Sequence, residues 1–173
     1  MKIIILAAGY AVRLQPLTLN MSKSLLPVGG RTIIDRILDK AACVEGWDRI
    51  YIITNDKFAG RFSEWLAEVS IKDKIAIIND GSTANDNRLG AIKDMALVIR
   101  KSALDDELLV IAGDNLFELD LARFMKFARA NDGVSVALYD IGNTALAKNF
   151  GVVALDRRNI VIDFEEKPQE PKS

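Results

Sequence analysis

Short apolar runs separated by amphipathic stretches of helical length constrain this chain more than any other feature. Lys2–Leu6, Arg49–Ile53, Ile75–Ile78, Glu107–Ile111 and Val134–Tyr139 read as strands. Between them, Ile33–Val44, Lys57–Val69, a face formed by Leu89, Ile92, Ala96 and Ile99, and Leu119–Ala130 read as helices. Thr32 is placed to cap the first helix, with Asp35 three residues on. Val152–Leu155 and Ile160–Phe164 read as a late hairpin around Asp156-Arg157-Arg158-Asn159. Strands joined by helices pair in parallel through right-handed crossovers. The expected fold is therefore α/β: three-layer α/β/α, Rossmann-like, with a mostly parallel mixed sheet. Such sheets bind ligands beyond the carboxyl ends of their strands, which directs attention to residues 7–31, 79–90 and 112–117.

The chain has 173 residues, 50% of them hydrophobic, enough for a sizeable core. A net charge of −1 argues against general nucleic-acid binding. No apolar run reaches the roughly 18 residues of a membrane helix, so no membrane partner is expected. Cys43 has no second cysteine to pair with and reads as an inert buried thiol on a helical face. The expected setting is cytoplasmic. No linker or repeat interrupts the sequence, and 1–173 reads as a single domain.

Histidine is absent. That removes Ser-His-Asp and Cys-His catalysis and His-ligated zinc. Carboxylates, Lys, Arg, backbone amides and a hard metal remain, a set suited to phosphate chemistry. Residues 1–34 carry Lys2, Arg13, Lys23 and Arg31 and no acid, which suggests an anionic small-molecule ligand.

The first motif runs Leu6-Ala7-Ala8-Gly9-Tyr10-Ala11-Val12-Arg13-Leu14-Gln15-Pro16-Leu17-Thr18, then Lys23-Ser24-Leu25-Leu26-Pro27-Val28. Small residues and Gly9 after a strand let backbone amides approach phosphate. Arg13 adds a forked donor and Lys23 a point charge. The string resembles the signature of the sugar-1-phosphate nucleotidylyltransferases, L-A-A-G-x-G-T-R-L-x-P-L-T followed by K-x-L-L-P-V. Ala11 and Val12 stand where that pattern has glycine and threonine. A positive φ at Ala11 would cost about 1 kcal/mol.

Three further segments follow in the family's order. Gly113-Asp114-Asn115 resembles its metal-aspartate motif, which implies Asp114 as the ligand of Mg²⁺ and Asn115 in the substrate site. Phe150-Gly151-Val152 and Glu165-Glu166-Lys167-Pro168 resemble its sugar-side elements. They imply that Gly151 and Glu166 contact sugar hydroxyls and that Lys167 holds the acceptor phosphate. The polar loop from Asn79 through Asn87 to Gly90 lies where the base and sugar pocket is expected. Its Asn-Asp character is also close to cytidylyltransferases of phosphocholine and related alcohols.

The resemblance implies a nucleotide-diphospho-sugar transferase-like fold and Mg²⁺-dependent transfer of a nucleotidyl group from an NTP to a sugar-1-phosphate. Arg13, Lys23 and Lys167 take the catalytic positions. Leu6, Ala7, Ala8, Gly9, Arg13, Lys23, Asn79, Asn87 and Gly90 bind nucleotide. The partners implied are the NTP and sugar phosphate, with a homo-oligomer allowed. A cytidylyltransferase of alcohol phosphates and a non-catalytic nucleotide-binding homologue are the alternatives. Relatives are usually longer, so a domain without the usual C-terminal part is expected.

Overall fold

The computed structural model describes residues 1–171. Strands β1 (Lys2–Leu6), β4 (Arg49–Thr54), β5 (Ile75–Asn79) and β6 (Leu108–Ala112) form one sheet in the order β5-β4-β1-β6. All three pairings are parallel. Two short strands, β2 (Pro27–Val28) and β3 (Arg31–Thr32), form a small antiparallel pair through Gly29 and Gly30, both at positive φ.

Helices α1 (Ile33–Ala42), α2 (Asp56–Glu68) and α3 (Ala91–Lys101) supply the crossovers. Ile3 and Ile5 of β1 and Ile50 and Ile52 of β4 share a core with Ile34, Ile37 and Ala41 of α1 and Phe58 and Phe62 of α2. Leu121 and Met125 of α4 (Leu121–Arg129) join the same cluster. Ile4 and Ile53 point to the other face, where Val98 of α3 covers them. Successive strand residues face opposite sides, so burying both faces produces the expected three layers. At the start of α1, Thr32 Oγ1 accepts from the Asp35 amide and Asp35 accepts from the Thr32 amide, each at 3.2 Å. The capping box holds as read.

Several expectations are corrected. Val134–Tyr139 forms no strand; Val134 is 95% and Tyr139 87% exposed. Alternating apolar residues provide a face, but a strand persists only when its amides and carbonyls find a partner. Among the described residues none pairs with this segment. Leu89 lies outside α3, and Ile92 is 74% exposed. The buried positions of α3 are Asp94 and Val98, four apart and so on one face. Cys43 is exposed, beyond the last residue of α1.

The chain divides into two compact units, Met1–Asp132 and a second that begins at Gly133. The second holds α5 (Thr144–Ala147) and an antiparallel hairpin of β7 (Gly151–Leu155) and β8 (Val161–Glu166). Asp156 shapes its turn by accepting from the Arg158 and Ile160 amides at 2.8 and 2.9 Å. No helix among the described residues is long and apolar enough to cross a membrane.

Candidate active site

β1 has β4 on one side and β6 on the other, and their connecting helices lie on opposite faces. The sheet therefore changes winding direction between β1 and β6, where open α/β sheets form their ligand crevice. Two segments leave the sheet at that point. Ala7–Leu14 follows β1, and Gly113–Asp114 follows β6. Gly113 N donates to Leu6 O at 2.8 Å, drawing the two together. A Cβ on Gly113 would sit 2.8 Å from Leu6 O and 3.0 Å from Ile5 Cγ2, so only glycine permits this approach.

Asp114 is thereby fixed at the mouth of the crevice. Lys23, on a 3-10 turn at Lys23–Leu25, reaches it with Nζ 3.0 Å from Oδ2. The pair is partly open to solvent, 31% and 47% exposed. Arg13 lies on the 3-10 turn Val12–Leu14, exposed and with no ion-pair partner among the described residues.

The turn between them is firmly built. Ala7 N donates to Ile53 O at 2.8 Å, and Thr18 Oγ1 donates to Ala11 O at 2.9 Å. Ala7 and Ala8 are buried, whereas Gly9 is exposed and a Cβ there would meet nothing. Ala11 adopts φ 45°, ψ 44°, the left-handed conformation that the family's glycine would take without strain. Among the described residues, the amides of Ala8, Gly9, Tyr10, Ala11, Val12 and Arg13 donate no hydrogen bond. Unpaired amides and an exposed arginine on one short stretch of chain are donors of the kind that bind anions.

The loop after β5 is held by its own side chains. Asn79 Nδ2 donates to Asp56 at 2.7 Å, and Asn79 Oδ1 accepts from Gly81 N at 2.8 Å. Asn87 Oδ1 accepts from the Thr83 and Ala84 amides, while Nδ2 donates to Thr83 Oγ1. Gly90 precedes α3 at φ 85°. Asp80 accepts from Ser82 N and Oγ at 2.7 and 2.8 Å, and Tyr10 OH lies 3.4 Å from Ser82 Oγ. Behind this network, burial and the charge of Asp80 push the Asp94 carboxyl up to about 6. Its Oδ1 has no partner. Nothing in the sequence gives Asn55, Tyr10, Ser82 or Asp94 the contacts they make here. Asn55 could have been read as a helix cap, but its contact with Ala8 joins residues 47 apart.

Leu6 closes β1, and Asn115 is exposed beside Asp114. In the second unit, Gly151 pairs with Glu166 across the hairpin. A Cβ on Gly151 would meet Phe164 Cε2 at 2.9 Å and Glu166 Oε2 at 3.2 Å. Lys167 has φ 48°, donates its amide to Phe150 O at 3.0 Å and holds Glu166 through Nζ at 2.9 Å.

Free amides, an arginine and a lysine–aspartate pair, all on segments that leave this end of the sheet, are groups suited to phosphate chemistry. The family model described as Nucleotidyl transferase matches residues 2–173, and the chain belongs to that family. It is 35% identical to the bifunctional protein GlmU of Methanocaldococcus jannaschii, matching over 100% of this chain and 37% of that protein. For GlmU of Methanococcus aeolicus the figures are 32%, 100% and 38%. The chain thus spans under two fifths of the length of these relatives. A crystal structure of a Bacillus anthracis protein assigned as a glucose-1-phosphate thymidylyltransferase, in complex with sucrose, superposes with a TM-score of 0.80. Identity is 28%, covering 100% of this chain and 67% of that one.

Proposed function

We propose that this chain transfers a nucleotidyl group from an NTP to a sugar-1-phosphate, giving an NDP-sugar and pyrophosphate. The observation that carries this reading is the Lys23–Asp114 pair beside unpaired amides at the switch point of the sheet. The family's description and the name of the superposed thymidylyltransferase support the same chemistry.

An acceptor phosphate oxygen attacks the α-phosphorus, and the bond to the oxygen bridging α and β breaks. No general base is required, because the acceptor's second pKa is about 6 and it is largely dianionic at neutral pH. The protein's work is to bring two anions together and stabilise the charge that moves to the leaving group. The amides from Ala8 to Arg13 and the Arg13 guanidinium bind the nucleotide phosphates. Lys23 stands at the α-phosphate. Lys167 holds the acceptor phosphate, and Gly151 and Glu166 meet the sugar. Gly90 and the loop of Asn79 and Asn87 flank the base, and Asn115 adjoins the acceptor.

Among the described residues no cluster of three acidic or cysteine side chains could hold a metal alone. Mg²⁺ characteristically needs only one or two carboxylates, with water and substrate phosphates completing its shell. The half-exposed Asp114 beside the crevice fits that requirement. When bound, Mg²⁺ neutralises developing negative charge on the nucleotide phosphates.

Pyrophosphate release tests the reading. It is measured with Mg²⁺ for dTTP, UTP, CTP, GTP and ATP, each against glucose-1-phosphate, mannose-1-phosphate and phosphocholine. Turnover with one NTP and one sugar phosphate, lost in Asp114→Ala, is the expected result. Turnover with phosphocholine would replace the sugar acceptor. Binding of NTP without turnover in any combination would overturn catalysis by this chain.

A further inference from the structure

The glycine turn is held from the protein interior by a residue outside the motif. Asn55 lies between β4 and α2 and is 0% exposed. Its Oδ1 accepts from Phe58 N at 3.1 Å, capping α2. Its Nδ2 donates to Ala8 O at 2.9 Å. Capping alone is served as well by serine or aspartate. The second bond calls for more, since an ionised carboxylate can only accept, whereas a carboxamide accepts at one atom and donates at another.

The direction of the bond matters. In a trans peptide the carbonyl and the following N–H point opposite ways. With Ala8 O turned inward to Asn55, the Gly9 N–H is turned outward. On that side Gly9 is exposed and its amide has no protein acceptor among the described residues. Tyr10, on the far side of Gly9, is buried, with its hydroxyl toward Ser82. The peptide is thus fixed before any ligand arrives, and preorganised donors avoid the cost of reorganising on binding.

We propose that Asn55 is a positioning residue of the nucleotide site, acting by locking the Ala8–Gly9 peptide with its amide directed at the nucleotide. The inference rests on the nucleotide-binding reading above. Its test separates the cap from the lock. Asn55→Ser keeps a capping oxygen but is one atom shorter and leaves Ala8 O unpaired. Asn55→Ala loses both bonds. Nucleotide affinity is measured by calorimetry with the NTP that the unaltered chain prefers, alongside thermal stability and the Gly9 amide resonance.

The expected result is an NTP Kd raised about tenfold or more in both variants. Stability falls further in Asn55→Ala than in Asn55→Ser. The Gly9 amide resonance moves in both variants before nucleotide is added. Where turnover is measured, KM for the NTP rises and KM for the acceptor stays unchanged. An Asn55→Ser chain that binds NTP as tightly as the unaltered one would overturn the proposal and leave the nucleotide-binding reading standing. An unaltered chain that binds no NTP would overturn both.

Discussion

Lys23 Nζ lies 3.0 Å from Asp114 Oδ2, joining two residues 91 positions apart across the mouth of the crevice. The lysine leaves the β1 loop and the aspartate follows β6, so their meeting depends on the close approach of those two strand ends at Gly113. A pair this open to solvent is worth at most about 1 kcal/mol of stability. Lys23→Met is therefore expected to unfold at nearly the same denaturant midpoint as the unaltered chain. A cation aimed at charge developing on phosphate is worth far more to the reaction, and kcat is expected to fall about 10²–10³-fold. Urea titration and steady-state pyrophosphate release check the two halves of this prediction.

Asp94 gives a pH dependence. Folding raises its pKa from the usual carboxylate value to about 6, through burial first and the charge of Asp80 second. The folded chain holds that proton more tightly than the unfolded chain, so stability is lost as pH rises through this window. Above pH 7 the charged, partly uncompensated carboxylate costs on the order of 2 kcal/mol. Asp94→Asn should raise Tm at pH 7.5 by about 4–8 °C and change it little near pH 4. An equal gain at both pH values would count against burial of the charge as the cause.

Ala11 holds a left-handed backbone at φ 45°. For a residue with a Cβ this costs about 1–2 kcal/mol, offset in part by the greater freedom that glycine has when unfolded. Ala11→Gly is expected to stabilise the chain by about 0.5–1 kcal/mol in urea unfolding. NTP affinity should be maintained, because the backbone path is unchanged.

Gly113 has no room for a side chain, with Leu6 O 2.8 Å from an added Cβ. That neighbour is backbone and cannot swing aside. Gly113→Ala should destabilise the chain by about 1–3 kcal/mol. It should also lower turnover beyond what lost stability explains, since Asp114 shifts with the strand end. Activity measured well below the variant's own unfolding temperature separates the two effects.

Gly151 is a gentler case. An added Cβ meets the Phe164 ring at 2.9 Å, but Phe164 is 59% exposed and its ring is the far end of a flexible side chain. Gly151→Ala should fold normally. Glu166 Oε2, at 3.2 Å from that Cβ, would be displaced. KM for the acceptor should rise about tenfold while KM for the NTP holds, as initial-rate kinetics in each substrate can show.

The proposed class of ligand is legible in the residues from Leu6 to Val28, because a turn of the kind proposed to take phosphate is a local object. Its glycine, its cations and their spacing lie within one short stretch of chain. Asn55 is not legible in the same way, since its second partner is far off in sequence. Asn79 and Asn87 are visible as polar loop residues. What their sequence does not show is that their side-chain amides hydrogen-bond within the structure that carries the loop.

By itself the sequence determined the elements whose causes are local: the apolar runs of β1, β4, β5 and β6 and the capping box of α1. Hydrophobic period and cap chemistry act within a few residues, so they can be read in one dimension. The tertiary structure decided which runs found partners. Among the described residues it left Val134–Tyr139 without a strand to pair with, turned Ile92 outward and buried Asp94 instead. It also brought Lys23 to Asp114 and Asn55 to Ala8. Pairing and burial are contests among distant segments for the same surfaces and hydrogen-bond partners, and the winner is set only when the whole sheet is assembled.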